Sequence, residues 1–296
     1  MPQAIASIAL AESVKRPSVS IGMPVFNGAA SVREAIECIL CQTHTDFELL
    51  ISDNCSTDQT AQICRALADA DRRLRYVRQE ENIGADANFR FVFEQSKCDY
   101  FMWAAADDLR SPDFLEANLK FLRAHPDYVG STSPVRFANG SFDANAMGDA
   151  PLSDDCRFQR VLDFIRRSHA NGRFYSLFHR NVVATWPHLQ DSFFLGADWT
   201  MVTHAASCGK LNRCSEGWVE FGKDGMSNRS DVFKRFRKSK LDLLVPYRKM
   251  SSDILATMKG GPMRMRAMVI VKLALLNARA ACLQFVIGWR RGHERT

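Results

Sequence analysis

The sequence offers little to build a disulfide framework or a metal centre from paired side chains. Its nine cysteines are odd in number and scattered through apolar segments, as expected of a reducing compartment rather than a secreted scaffold. Cys38 and Cys41 form one CxxC inside a helical pattern, with no second pair at zinc spacing, and read as two small core residues. The seven histidines form no HxxxH or HExxH pattern. Long hydrophobic runs are also missing. The longest uncharged stretch near the C-terminus, residues 280–289, falls well short of the ~20 residues a membrane-spanning helix needs. The first 17 residues carry no basic leader region and read as a loose tail rather than a signal peptide. There is no internal repeat, and no low-complexity linker marks a second independent domain before residue 230.

Charge is present but unevenly spread. Residues 231–296 hold 15 Lys and Arg against 4 Asp and Glu, a surplus of 11, whereas the whole 296-residue chain has a surplus of only 6. A basic, apolar tail on a mildly acidic body suggests contact with an anionic surface.

From residue 18 onward, β-like and helix-like segments alternate. Val19–Met23 alternates in the manner of a strand, Pro24–Gly28 is a turn, and residues 30–41 place Val32, Ala35, Ile36, Ile39 and Leu40 on one helical face. Further strands are expected at 47–51, 74–78, 100–105 and 128–133, with helices to about residue 70 and over 85–95 and 112–125. This order predicts a mostly parallel sheet covered by helices. Residues 138–151 read as a loop, 157–168 as a helix, 174–178 as a strand, 198–206 as a helix ended by Gly209, and 219–222 as a late strand.

The stretch YFMWAAADDLRSPDF, residues 100–114, stands out. An apolar run ends in Asp107 and Asp108, past the carboxyl end of a buried strand, where open α/β sheets place their ligands. Two acids there can hold a divalent cation, and that cation a diphosphate. By itself the pair reads better as a loop with two solvated acids before a capped helix. Asp53, ending the strand at 47–51, can bind a base or ribose or simply form a turn. Asp198 opens a helix, where a carboxylate is also a favourable cap.

Four segments in order resemble the family-2 glycosyltransferases of GT-A fold: VSIGMPVFNG at 19–28; Gln42-Thr43 with DFELLISDNCSTD at 46–58; Asn82-Ile83-Gly84 and Asn88 leading to Trp103 and Asp107-Asp108; and Gly196-Ala197-Asp198 followed by Gly209-Lys210. The resemblance implies a GT-A domain over 18–228, between a tail at 1–17 and a basic helical region at 229–296. It implies an inverting, metal-dependent transfer of sugar from a nucleotide-diphospho-sugar, UDP first among them, to a glycan or glycolipid in surface polysaccharide synthesis. On the matching positions, Pro24, Phe26, Asn27, Asp53 and Asp86 would line the nucleotide. Asp107, joined by Asp108, would hold Mn²⁺ or Mg²⁺, Asp198 would be the general base, and Lys223 would screen the diphosphate. Arg180 would face the same cavity. Two positions depart from the family pattern: Ala105 stands where D-x-D motifs carry the first acid, and Ala197 replaces a common Glu. These departures keep a catalytically inactive binding or scaffold protein open. A nucleotidyltransferase would want a Gly-rich basic loop after the first strand, which MPVFNG is not.

In the tail, residues 263–289 read as a long helix. Ile270, Val271, Leu275, Ala278, Cys282, Phe285 and Val286 fall on one face, and Arg266, Asn277, Gln284 and Arg291 opposite. Such a helix can lie in a membrane interface, pack on the catalytic domain or pair with another copy as a homo-oligomer. The expectation is a cytoplasmic protein, peripheral on the inner face of the cell membrane, without a nucleic-acid partner.

Overall fold

The computed structural model describes residues 17–191, 193–222 and 232–293. Strands and helices alternate first: β1 (Val19–Val25), α1 (Val32–Leu40), β2 (Phe47–Asp53), α2 (Thr60–Ala70), β3 (Leu74–Arg78), α3 (Ala85–Glu94) and β4 (Tyr100–Trp103). Next come β5 (Leu109–Arg110), α4 (Phe114–Ala124), β6 (Tyr128–Thr132), β7 (Val135–Phe137), α5 (Ala144–Met147) and α6 (Arg157–Ile165). A 3-10 turn (Gly172–Tyr175) leads to β8 (Leu177–His179), α7 (Arg180–Ala184), α8 (Ala197–Cys208), β9 (Lys210–Arg213) and β10 (Val219–Phe221). Beyond these lie α9 (Val232–Phe236), α10 (Leu241–Leu244), α11 (Arg248–Thr257) and α12 (Met263–His293).

The main sheet runs β3-β2-β1-β4-β8-β6-β9 and is parallel except for β8, which is antiparallel to both β4 and β6. Its mixed character follows the expected mostly parallel sheet. The pleat sorts the apolar residues by alternation. Val19, Ile21 and Met23 of β1, with Met102 of β4, face α1 and α4, whereas Phe101 and Trp103 face the layer containing α3, α6 and α8. Gly22 lets α3 approach closely, since a Cβ there would lie 2.6 Å from the Val92 side chain.

Register sets up the site. Val25 pairs with Asp53, and Gly22 with Trp103. The loops after β1, β2 and β4 therefore leave the sheet side by side at one edge. A small second sheet, β5-β10-β7, lies beyond that edge.

Several expectations shift locally. The strand expected at 174–178 begins as the 3-10 turn, because Phe174 stacks on Trp103 at 5.0 Å and the fully buried Arg173 ties itself to the carbonyls of Asp149, Ala150 and Asn212. The short strands β5, β7 and β9 lack an alternating pattern long enough to show in the sequence. Cys41 is exposed rather than a core residue, and all nine cysteines are free thiols.

The C-terminal helices share the main core. Met250 and Ile254 of α11, Met258 just after it, and Val269 and Leu273 of α12 belong to the same apolar cluster as Met201, Val202 and Ala205 of α8. By length and composition Met263–Gln284 is long and apolar enough to cross a membrane, yet about a third of it is buried inside the protein.

Candidate active site

The loop after β1 is stitched to the loop after β2. Asn27 adopts a left-handed backbone, φ 52°. Its Oδ1 accepts the Thr57 N–H at 2.8 Å, and its own N–H donates to Ser56 Oγ at 2.9 Å. The next amide, Gly28, donates to Thr60 Oγ1 at 2.9 Å. Pro24 remains within β1, paired with Ser52. Phe26 is 49% exposed, so its ring is an available stacking surface rather than core packing.

Asp53 is fully buried and already engaged. Its Oδ1 accepts the Ser56 N–H at 2.9 Å, and its Oδ2 accepts the Tyr76 hydroxyl at 2.7 Å and Arg78 Nη1 at 3.3 Å. Burial and this carboxylate hold the Tyr76 phenol well above its ordinary range. Asn54, next in sequence, fastens the Asn82–Gly84 turn by donating to Asn82 Oδ1 and the Gly84 carbonyl and accepting the Ile83 N–H at 2.8 Å. Asp86 sits half-buried in the first turn of α3 behind Gly84, whose φ is 86°.

Past β4 the two acids separate. Asp107 remains partly exposed, with Gly222 directly against it: a Cβ on Gly222 would overlap Asp107 Oδ2. Asp108 turns inward. It is 4% exposed, and its Oδ1 accepts the Gly222 N–H at 3.1 Å while Oδ2 has no hydrogen-bond partner. Burial pushes its carboxyl up to about 7, opposed by the Arg110 guanidinium and reinforced by Asp107. Arg110, itself buried with no hydrogen bond from its guanidinium, supplies the compensating charge. Asp108 thus anchors the end of β10.

Among the described residues no group of three or more His, Cys, Asp and Glu could hold a metal. A divalent cation that also binds two phosphates and water needs only one or two protein oxygens. Asp107 at the open end, with the unsatisfied Oδ2 of Asp108 behind it, fits such a sparsely liganded ion.

Asp198 stands in the first turn of α8, after Gly196 in a left-handed conformation. Asn171 donates Nδ2–H to Asp198 Oδ2 at 2.8 Å. Burial raises the Asp198 carboxyl above its ordinary range, while the Asn171 bond and backbone amides pull it down. Asn171 is held in turn, since its N–H donates to His169 Nδ1 at 3.0 Å and His169 Nε2 lies 2.8 Å from the Phe164 carbonyl. These bonds assign a neutral ring protonated on Nε2, and that ring stacks on Trp199 at 4.2 Å. The result is a chain from His169 through Asn171 to Asp198.

The 3-10 turn joins the two acidic centres. Phe174 stacks on Trp103 of β4, and Tyr175 packs on Phe221, the neighbour of Gly222. Burial lifts the Tyr175 phenol far above its normal range, and Asp108, Asp107 and Asp198 all add to that, with Arg110 opposing. Tyr175 therefore lies in the field of both ends of the site.

Sequence reasoning missed His169, Asn171 and Tyr175. The Asn171-Gly172 dipeptide, a turn signal, could have flagged the left-handed Asn. Arg180 does not face the cavity: its Nε donates to Ser96 O and Oγ at 3.1 Å, and its guanidinium lies over Phe93. Lys223 lies outside the described residues.

An α/β sheet with acidic side chains at and just past the carboxyl ends of β2 and β4, and a further carboxylate in the first turn of α8, is the frame of a nucleotide-dependent transferase. The family model described as "Glycosyl transferase family 2" matches residues 20–186, more than half of the chain, and the chain belongs to that family. A Bacillus subtilis protein named as a putative teichuronic acid biosynthesis glycosyltransferase, TuaG, is 24% identical over 221 residues, covering 70% of this chain and 88% of TuaG. An uncharacterized glycosyltransferase of Rickettsia typhi, RT0329, is 34% identical over 106 residues, 36% of this chain and 32% of its own length. Among solved structures, S. aureus TarS 1-349 in complex with UDP-GlcNAc superposes with a TM-score of 0.59 at 16% identity, covering 93% of this chain and 92% of that one. The mannosyltransferase PcManGT from Pyrobaculum calidifontis, in complex with GDP-Man and Mn²⁺, gives 0.57 at 15% identity over 93% and 74%. At such identities the likeness is one of fold, and the fold is GT-A.

Proposed function

We propose that this protein transfers a sugar from a UDP-sugar to a hydroxyl of a glycan or glycolipid, with inversion at the anomeric carbon, in polysaccharide synthesis. The observation that carries the reading is Asp198. It is a carboxylate raised by burial and held by Asn171 in the first turn of α8, and together with Asp107 and Asp108 it acts electrostatically on the one tyrosine, Tyr175. A general base works best with its pKa moved toward the working pH.

The residues divide the work as follows. The Phe26 ring and the Pro24–Asn27 backbone take the base. Asp53 acts through the loop it organises, holding Ser56, Tyr76 and Arg78 around the nucleoside, and Asp86 flanks it from α3. Asp107, backed by Asp108, would hold Mn²⁺ or Mg²⁺, which when bound offsets charge on the diphosphate leaving group. Lys223 would add a positive charge there. The acceptor oxygen attacks the anomeric carbon, its proton passes to the Asp198 carboxylate, and the bond to the diphosphate oxygen breaks. The proton later leaves Asp198 for solvent. A single displacement needs one base and inverts the centre.

Support for the donor comes from TarS, solved with UDP-GlcNAc and with UDP. Support for a cation comes from PcManGT, solved with Mn²⁺. Support for polysaccharide synthesis comes from the name of TuaG. A thermal-shift panel of UDP- and GDP-sugars with and without Mn²⁺, followed by turnover of wild type and Asp198→Asn, tests the reading. Stabilisation by a UDP-sugar, with transfer lost in Asp198→Asn and donor binding kept, is the expected result. Donor binding without any turnover in wild type would instead make the chain a nucleotide-sugar-binding scaffold.

A further inference from the structure

Helix α12 buries two amides beside Val269 and Leu273 and leaves many of its apolar residues outward. Asn277 and Gln284 are both buried. Asn277 Oδ1 accepts the Tyr247 N–H at 2.8 Å, and its Nδ2 donates to Ser251 Oγ and the Leu273 carbonyl, each at 2.9 Å. Gln284 Oε1 accepts from Arg237 Nη2 at 2.9 Å, and its Nε2 reaches the carbonyls of Asp242 and Leu243 at 3.3 and 3.4 Å. On the solvent side, Val271 and Leu275 are 57% and 59% exposed, one turn apart, with Met268, Ile270 and Leu283 also exposed. Leu241 and Leu244 of α10, which packs against α12, are exposed too. A surface helix of a soluble protein normally carries charged and polar residues at such outward positions. An exposed apolar face of this extent marks an interaction surface.

The charges say what covers it. Arg264, Arg266 and Arg279 are exposed on the same helix, and Lys238 and Lys240 precede α10. A second copy laying this face on itself would bring these cations together. An acidic lipid surface complements them and accepts the apolar stripe between the headgroups. Crossing the bilayer is disfavoured, because it would strip Asn277 and Gln284 of their partners and carry Arg266, Lys272 and Arg279 into hydrocarbon.

We propose that the outer face of α12, with Leu241 and Leu244, docks flat on a membrane rich in acidic lipids. The Asp198 helix is coupled to that surface, because α11 bridges the two: its Met250 side chain packs so closely on Gly196 that a Cβ there would overlap Sδ, and Asn277 holds the N-cap of α11.

Sedimentation of the full chain with phosphatidylglycerol-containing vesicles, against pure phosphatidylcholine vesicles, tests this at low and high salt. Expected is binding at least about tenfold tighter to the acidic vesicles and weakened by salt. Val271→Ser with Leu275→Ser should cut it by at least tenfold, and Arg266→Gln with Arg279→Gln should erase the preference for acidic lipid. All four positions are solvent-facing or rim positions outside the catalytic machinery, so melting temperature and the UDP-sugar thermal shift should remain at wild-type values. Absence of wild-type binding to acidic vesicles overturns the proposal. So does a dimer that Val271→Ser with Leu275→Ser dissociates while vesicle binding is unchanged. Vesicle binding is read without donor or acceptor, so failure of the glycosyltransfer reading would leave this outcome separate.

Discussion

Asn171 Nδ2 lies 2.8 Å from Asp198 Oδ2, across 27 residues of sequence. A carboxylate can only accept, so the amide must present its N–H to Asp198 Oδ2, which fixes the orientation of the carboxylate. Asn171→Ala removes the orienting bond and with it an interaction that favours the charged form. The expected result is a fall in kcat of about tenfold or more, part of the ~10²–10⁴ a general base contributes, with donor KM nearly unchanged. The acid limb of the kcat profile should move to higher pH, because the Asp198 carboxyl rises further without Asn171. A parallel loss of kcat and donor affinity with an unmoved pH profile would reduce Asn171 to a purely structural residue.

Gly222 offers a test of the Asp107 end. A methyl group there would occupy the space of the Asp107 carboxylate, and its N–H holds Asp108. Gly222→Ala should displace Asp107 and raise the Mn²⁺ or Mg²⁺ concentration needed for half-maximal turnover by about tenfold, as judged by titrating the ion at saturating donor. Asp107→Ala should remove metal-dependent turnover; retention of it would unseat Asp107 as the ligand.

The buried Asp53 makes a different prediction. Asp53→Asn leaves the Tyr76 hydroxyl and Arg78 with a weaker acceptor. It should cost about 1–3 kcal/mol in urea unfolding, the range for a buried donor left poorly satisfied. Donor affinity should fall for UDP- and GDP-sugars alike, since the whole loop is loosened whichever base the donor carries. A change in base preference at unchanged stability would show instead that Asp53 reads the base directly.

His169 links pH to folding. Burial lowers its pKa. Above about pH 6.5 the ring is neutral in both states. As pH falls below that value the unfolded chain takes a proton the folded ring refuses, so stability declines until the folded pKa is reached. One such site changes the unfolding free energy by at most about 1.4 kcal/mol per pH unit. His179 and His204 are lowered by burial as well and add to the slope. Asp108, raised to about 7 in the fold, acts in the opposite sense over the same range, so the measurement is a difference: in thermal denaturation from pH 7.5 to 5.5, His169→Asn should gain stability relative to wild type as pH falls, by one proton's worth.

The parallel half of the fold was legible because its signals are local. β1, β2 and β4 announce themselves as short apolar runs, and α1 places Val32, Ala35, Ile36 and Ile39 on one face. Asp53 and Asp107 could be placed at strand ends for the same reason. The short strands β5, β7 and β9 could not, since their two to four residues are broken by charged side chains and form no apolar run.

The sequence alone determined the alternation of strands and helices, the acids at the end of β2 and in the loop after β4, and the carboxylate that opens α8. All of these follow from side-chain periodicity and turn chemistry within a few residues. Tertiary structure decided which of those acids work together. It buried Asp108 against Gly222, 114 residues away, and left Asp107 at the open edge. It gave Asp198 a partner in Asn171 and buried Asn277 and Gln284 of α12 among hydrogen-bond partners. The physical reason is that strand order and helix docking set these distances, and each polar group is satisfied by whatever donor or acceptor the completed packing brings within reach.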